Sequence, residues 1–150
     1  MLSDALDEIM EAIREKIEAA VGDPQSRLSH VNSVVRGDRR RTQPELPSVW
    51  IFAEVARAEH SPTTLAEIWT LPIVLVAVVK NDEPEQGYIE ATRLAADVRS
   101  VVIEDRTLGK RSIVQDTRSS RFEPSGPWHR EGSQFGAVAV VEVTFKILEG

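Results

Sequence analysis

One run of β-branched residues constrains the fold of this chain more than any other segment. The sequence from Leu71 to Val79 contains no polar side chain, and most of its residues are β-branched. Such a run is typical of a central strand that is covered on both faces, and Pro72 lies near its beginning, where a missing amide donor costs least. Another strand is predicted from Val49 to Ala56, where residues alternate with a period of two. The chain is therefore expected to be organised around a β-sheet.

An amphipathic helix is predicted near the N-terminus, from Ser3 to Val21. Its apolar side chains recur every three or four residues and form one stripe. Ser3 is the predicted N-cap, and Gly22 followed by Pro24 is the predicted end of the helix. The opposite side is acidic, and we interpret it as a solvated surface in preference to a partner-binding one. Its acids are Asp4, Asp7, Glu8, Glu11, Glu15 and Glu18.

A second helix is predicted after the central strand. Asn81 or Asp82 is expected to cap it, with Pro84 in its first turn. Its buried face includes small alanines, which allow a close approach to a sheet. That face consists of Ala91, Leu94, Ala95, Val98, Val101 and Val102. A turn at Thr107–Lys110 is predicted to follow.

The last part of the chain is expected to contribute two strands. Ser112–Phe122 is long enough for a strand but polar, so an edge strand or an extended arm is predicted. In the final strand, Ala137–Leu148, Val138 and Val140 add apolar surface opposite the main apolar face. That main face consists of Ala139, Val141, Val143, Phe145 and Ile147. Two helices and about five strands predict the α+β class, with a single mixed or mainly antiparallel sheet and two helices packed against it, in one domain covering residues 1–150.

Composition argues against several classes of protein. The 150 residues include no cysteine, so neither a disulfide scaffold nor a thiolate metal site is expected. The N-terminus lacks a cationic stretch followed by an apolar one, and no apolar run approaches the roughly 18 residues of a membrane span. We therefore expect a soluble cytoplasmic chain without membrane contact. The net charge of −6 argues against wholesale binding to nucleic acid.

The sequence contains no recognisable catalytic, cofactor-binding or metal-binding set. Gly109–Ser112 lacks the glycine spacing of a phosphate-binding loop. His30, His60 and His129 lie far apart in turn-like contexts, so each is predicted to be a loop or surface residue rather than a metal ligand. We therefore expect a chain that is not an enzyme and needs no cofactor or metal.

Arginine and tryptophan residues mark candidate interfaces. Most of the 18 basic residues are arginine, whose planar fork suits paired contacts with carboxylates or phosphates. The arginine-rich loop Arg36–Arg41 either contacts a partner or DNA, or is a solvated loop. It has no interleaved aromatic residues of the kind that stack on bases. Trp128 is the predicted contact residue of a polar turn, because tryptophan is favoured at binding hot spots. The candidate interface residues are Arg36, Arg39, Arg40, Arg41, Arg118, Arg121 and Trp128.

The order of these segments resembles the tail-terminator and tail-completion proteins of long-tailed phages, including minor tail proteins of the lambda type. The resemblance covers most of the chain and rests on the ordered set rather than on one diagnostic motif. The segments that carry it are the N-terminal helix, Val49–Ile51, Trp69–Val74, Leu94–Val98, Thr107–Gly109 and Val140–Phe145. The turn ends in Gly109-Lys110, where small residues would be more familiar, and this departure leaves the subfamily open.

The resemblance implies a structural virion protein with no catalysis and no cofactor. It implies a hexameric ring that caps the completed tail tube, stops its polymerisation and presents a docking surface to the head connector. The implied partners are other copies of the chain, the tail tube protein and the head-tail connector or head-closure protein, with DNA passing through the lumen non-specifically. The implied location is the virion tail or neck, after assembly in the host cytoplasm.

Two alternatives stay open at the level of the sequence. One is another ring component of the neck, such as a head-closure or tail-completion subunit. The other belongs to a different class, a small α+β enzyme or ligand-binding domain.

Overall fold

The computed structural model describes residues 2–37, 45–59 and 66–148 of the chain. Its elements, in chain order, are α1 (Leu2–Gly22), β1 (Ser33–Arg36), β2 (Ser48–Ala53), β3 (Arg57–Glu59), β4 (Ala66–Lys80), α2 (Pro84–Ile103), β5 (Val114–Glu123), a 3₁₀ helix (Pro127–His129), β6 (Arg130–Glu131) and β7 (Gln134–Leu148).

The strands form one mixed sheet. Its main order is β1-β2-β4-β7-β5, while β3 pairs with β4 and β6 pairs with β7. β1 and β2 are parallel, and all the other pairings are antiparallel. The 15-residue strands β4 and β7 pair along their whole length, from Ala66 opposite Leu148 to Lys80 opposite Gln134. These two strands therefore form the centre of the sheet.

This architecture confirms the predicted α+β class, with one mixed sheet and two helices packed against it. Within the described residues the sheet has seven strands, where the sequence predicted about five. The strands that the sequence did not indicate are β1, β3 and β6, which have four, three and two residues. Such short segments are below the length at which periodicity identifies a strand.

Both helices pack on the same face of the sheet. α1 lies against β1 and β2, and α2 lies against β4 and β7. Each helix buries the apolar stripe that the sequence predicted, including Ile9, Ile13 and Ile17 of α1. The core residues contributed by β4 and β7 include Leu71, Ile73, Leu75, Ala77, Val79, Phe135, Ala137, Ala139, Val141, Val143 and Phe145.

The first turns of α2 approach β7 closely at Gly87. A Cβ atom added at Gly87 would lie 2.3 Å from Cδ2 of Phe135, so only glycine allows this approach. The Phe135 ring is fully buried and packs edge-on against Tyr88, with 5.0 Å between the ring centroids. This contact fixes the start of α2 against the beginning of β7.

The predicted edge strand and the predicted turn after α2 are both confirmed. β5 is the last strand of the sheet order, which confirms the edge position of the polar segment. The Thr107–Lys110 turn is also present, and the Lys110 N–H donates to the Thr107 carbonyl at 2.8 Å. Leu108 and Gly109 adopt φ values of 53° and 70°, which is the left-handed conformation of both central residues in a tight turn.

Four local predictions about the helices and β4 were wrong. Pro72 is the seventh residue of the 15-residue strand β4 and does not lie near its beginning. Ser3 lies inside α1 instead of capping it. The N-cap of α2 is Glu83, and the Asn81 side chain instead accepts the Glu83 N–H at 2.8 Å in the turn before the helix. β4 is central, as predicted, but α1 and α2 cover only one of its faces. Within the described ranges, neither helix is long and apolar enough to cross a membrane.

Candidate protein-protein interface

The sheet face opposite the helices is apolar at its centre. Trp50 of β2 pairs with Val76 of β4, which pairs with Val138 of β7, so these three side chains form one row across neighbouring strands. Alternate positions along the same strands add Val74, Val78 and Val140. We call these six residues, with the side chains that border them, the outer face.

The outer face buries four of its six residues without a second layer of helices. Trp50, Val74, Val78 and Val140 are buried although none of them belongs to the core beneath α1 and α2. Cross-strand neighbours on one face of a sheet lie close enough to cover one another. A small second apolar cluster therefore exists on this face, with the Trp50 indole N–H donating to the Ser48 hydroxyl.

Large apolar side chains are exposed at the two ends of this face. Within the described part of the chain, the large hydrophobic residues classed as exposed are Phe52 at 39%, Val55 at 77% and Trp128 at 94%. Phe52 and Val55 come at the end of β2 and in the loop after it. Trp128 borders the opposite end, where it lines a pocket of about 260 Å³ together with Val78 and Val138.

The turn that carries Trp128 is held by backbone and side-chain contacts. The Ser125 N–H donates to the Thr92 hydroxyl of α2 at 2.9 Å, and the His129 N–H donates to the Gly126 carbonyl at 2.9 Å. The Arg130 guanidinium lies 5.0 Å from the centroid of the Phe135 ring. These contacts anchor both sides of the turn while the indole remains in solvent.

Arg118 and Arg121 of β5 flank the outer face at its other edge. Arg118 lies 3.2 Å from the Glu142 carboxylate, and Arg121 lies 3.5 Å from the Glu54 carboxylate. Glu54 follows β2, so the second pair joins the two sides of the face across β4 and β7. More than half of each arginine side chain is exposed. Both guanidinium groups therefore have partners within the chain and stay accessible.

Arg36 lies elsewhere than the sequence indicated. It is the last residue of strand β1, not part of a loop, and it faces α1. Its Nη1 lies 2.7 Å from Asp7 and 3.0 Å from Glu11. The hydrogen bond to Asp7 is the main cause of the raised pKa of Arg36. This arginine therefore joins β1 to the acidic side of α1, a side that the sequence led us to interpret as solvated.

The other candidate arginines lie outside the described residues, whereas two of the three histidines lie within them. Arg39, Arg40 and Arg41 lie outside the described residues, as does His60. His30 is exposed in the turn before β1, and His129 Nε2 lies 3.4 Å from the Glu123 carboxylate. The part of the chain that the structure describes contains no group of three or more His, Cys, Asp or Glu residues that could hold a metal ion.

No protein-family model matches this sequence, and a search of curated proteins finds no significant match.

Sequence reasoning found only part of the outer face. It identified Val138 and Val140 as apolar on the second side of β7, and it identified Trp128 as a turn residue suited to a contact. It did not place Trp50 and Val76 beside Val138, because that neighbourhood depends on the pairing register of three strands. The available signal was the apolar character of both alternating sets in the Leu71–Val79 run.

Proposed function

We propose that this chain is a structural virion assembly protein, a tail terminator of a long-tailed phage or phage-derived particle. In this proposal, copies of the chain form a closed ring, of six subunits, that caps the tail tube and stops its polymerisation. The ring then offers a docking surface to the head connector. The chain performs no catalysis and needs no cofactor, and its final location is the tail or neck of the virion.

One observation carries the proposal beyond the resemblance in segment order. The exposed large apolar side chains of the described residues lie at the two ends of one open sheet face, Phe52 and Val55 at one end and Trp128 at the other. Apolar surface left exposed beside an apolar sheet face is suited to a protein contact, and tryptophan is enriched at binding hot spots. The central strands of this face are regular and paired and the Trp128 turn is anchored to α2, so much of the contact surface is formed before any partner binds.

The arginines beside this face are suited to an interface that is specific for one partner in one relative position. Arg118 and Arg121 keep accessible guanidinium groups next to apolar surface. Charges at the rim of an interface mainly set specificity and association rate, while buried apolar residues supply affinity. The tail tube protein and the head connector are the proposed partners at the two ends of the ring. Arg39, Arg40 and Arg41 remain candidates for contact with the DNA that passes through the lumen.

Mass measurement combined with electron microscopy tests the ring. The purified chain, alone and mixed with tail tubes, should give particles with closed cyclic symmetry, and loss of the protein should give aberrantly long tubes or tails that do not join heads. A strictly monomeric subunit inside intact particles would rule out the ring. A ring found at the connector rather than on the tube would favour another neck component.

A charge introduced on the outer-face side tests where the contact lies. Val55→Asp places a carboxylate at a highly exposed apolar position, so folding should be unaffected while assembly is impaired. Ala19→Asp adds the same charge at an exposed position of α1 and serves as the control. Equal assembly of both variants would remove Val55 from the interface.

A change at His129 tests the non-enzymatic assignment. If changing His129 alone abolished a measurable turnover while rings still formed, that assignment would be wrong.

A further inference from the structure

One ion pair runs across the outer face instead of along its edge. Arg121 belongs to β5 and Glu54 follows β2, yet Nη2 of the arginine lies 3.5 Å from Oε1 of the glutamate. The Glu54 N–H donates to the Pro72 carbonyl, so Glu54 still lies directly beside β4. With about 4.8 Å between neighbouring strands, β5 and the β2 side are about 14 Å apart. Both side chains must therefore lie flat over β7 and β4 to meet.

The valines in the path of this pair are more buried than those of the neighbouring row. The strand pairing forms a first row from Phe52, Val74, Val140 and Arg121. It forms a second row from Trp50, Val76, Val138 and Glu123. In the first row, Val74 and Val140 are 4% and 2% exposed. In the second row, both valines are only partly buried.

The aromatic residues do not explain this difference. The larger one, Trp50, stands in the row whose valines are more exposed. The rows also differ at β5, where the first ends in Arg121 and the second in the shorter Glu123. An arginine stem can cover apolar surface while its guanidinium stays in water. We therefore attribute the burial of the first row to the Arg121–Glu54 pair, and we call this pair the cover.

The cover is held closed by a weak contact. The Arg121 and Glu54 side chains are 53% and 42% exposed. An ion pair between exposed groups contributes little to stability and is weakened further by salt. When the cover opens, the valines of the two rows become one continuous apolar strip. An apolar strip on a regular sheet favours packing of a second sheet against it.

We propose that the cover prevents two copies of the chain from binding face to face through the centre of the outer face. With the cover closed, the exposed apolar side chains at the two ends of the face are left for contacts, namely Phe52, Val55 and Trp128. Natural proteins use charged side chains in this way to suppress unwanted association. The inference concerns the isolated chain and goes beyond the proposed ring.

Cysteine accessibility tests the cover, because the native chain has no cysteine. Val140→Cys places a thiol beneath the pair, and the rate of its reaction with a maleimide measures how often the cover is open. An exposed ion pair favours the closed state by up to about fivefold, so Arg121→Ala should raise this rate by up to about fivefold. Glu54→Gln should raise it as well. Salt should raise the rate only in the chain that keeps both charges.

Matched variants separate opening of the cover from a general loosening of β5. Arg118 pairs with Glu142, its direct neighbour in the strand register, so Arg118→Ala should leave the rate at position 140 unchanged. Val79→Cys, in the core beneath the helices, should stay unreactive in every variant and reports intact folding. Val74→Cys is a second probe beneath the cover. Equal rates with and without Arg121 at both positions, or an equal rise with Arg118→Ala, would overturn the inference.

Analytical ultracentrifugation gives the second readout. Arg121→Ala should self-associate at a lower concentration than Arg118→Ala. Identical faces meet in such a dimer, so Val140→Cys combined with Arg121→Ala should cross-link to a second copy of itself. Faster labelling without added self-association would refute the protective role of the cover. These measurements use the purified chain without tail tubes, so their failure would leave the ring proposal unchanged.

Discussion

Replacement of Gly87 by alanine should destabilise the fold, although alanine is the better helix former. A new Cβ atom would lie 2.3–2.6 Å from three carbons of the Phe135 ring, well inside the optimal separation of about 3.5–4.0 Å. The ring is fully buried and lies against Tyr88 and Arg130, so any shift away from the new Cβ would disturb both contacts. Overpacking of this kind costs about 1–3 kcal/mol, and we take the upper end.

The expected net change is smaller than the overpacking cost. Alanine gains about 1 kcal/mol over glycine in a helix interior, which leaves a loss of about 2 kcal/mol in the free energy of unfolding. For a chain of this length, that loss corresponds to a fall in Tm of roughly 4–8 °C. Urea denaturation with unchanged m-value measures the free energy, and a thermal scan measures Tm.

Two further variants identify the cause of the change. Gly22→Ala introduces a Cβ with no heavy atom within 4 Å, so it should not destabilise the chain. In the double variant Gly87→Ala with Phe135→Leu, the smaller leucine relieves the overlap with the new Cβ. The loss in the free energy of unfolding should therefore differ from the sum of the two single losses by about 1 kcal/mol or more. If Gly87→Ala were as stable as the native chain, the close approach of α2 to β7 would not exist as described.

Two smaller electrostatic effects should also be measurable by urea denaturation. Arg36→Gln removes the pairs with Asp7 and Glu11 and should cost up to about 1 kcal/mol, with a smaller cost in high salt, while Arg27→Gln, whose side chain is 85% exposed, should be neutral. Equal effects of both changes at all salt concentrations would contradict this ranking. The hydrogen bond from Arg106 lowers the pKa of Asp116 in the folded chain, so its stabilisation is present above the unfolded value of about 3.9 and is lost as pH falls through the folded pKa. Asp116→Asn should therefore reduce the acid-side loss of stability, and parallel pH profiles would show that the pair contributes nothing.

Periodicity predicted the elements whose structure is decided locally. The stripe containing Ile9, Ile13 and Ile17 identified α1, and the alternation around Val141 and Phe145 identified the buried side of β7. Each of these patterns reports one face of one element, and the core confirms it. The polar character of the β5 segment likewise predicted its edge position, because arginines at an edge strand discourage further pairing.

The features that the sequence did not predict depend on contacts between residues far apart in the chain. Arg36 belongs to a cluster of arginines in the sequence, so composition placed it in a loop. Its partners Glu11 and Asp7 lie 25 and 29 residues earlier, and only the folded chain brings them together. Strand β1 is short and is defined by its parallel pairing with β2, which also depends on tertiary structure. The acidic side of α1 is thus partly occupied by the Arg36 side chain of β1.

The burial pattern on the outer face limits how this face can be used. Val74, Val78 and Val140 are already almost inaccessible to solvent, and Val76 and Val138 are partly buried, so a second sheet stacked flat on the centre would remove less apolar surface from water per side chain than contacts at the exposed ends. The surface that remains to be buried is concentrated in Phe52, Val55 and Trp128, at the two ends of the face. Because the hydrophobic contribution scales with the area removed from water, contacts at the ends should stabilise an assembly more than stacking across the centre. Subunits of the proposed ring that met at these ends would leave the centre of each sheet open.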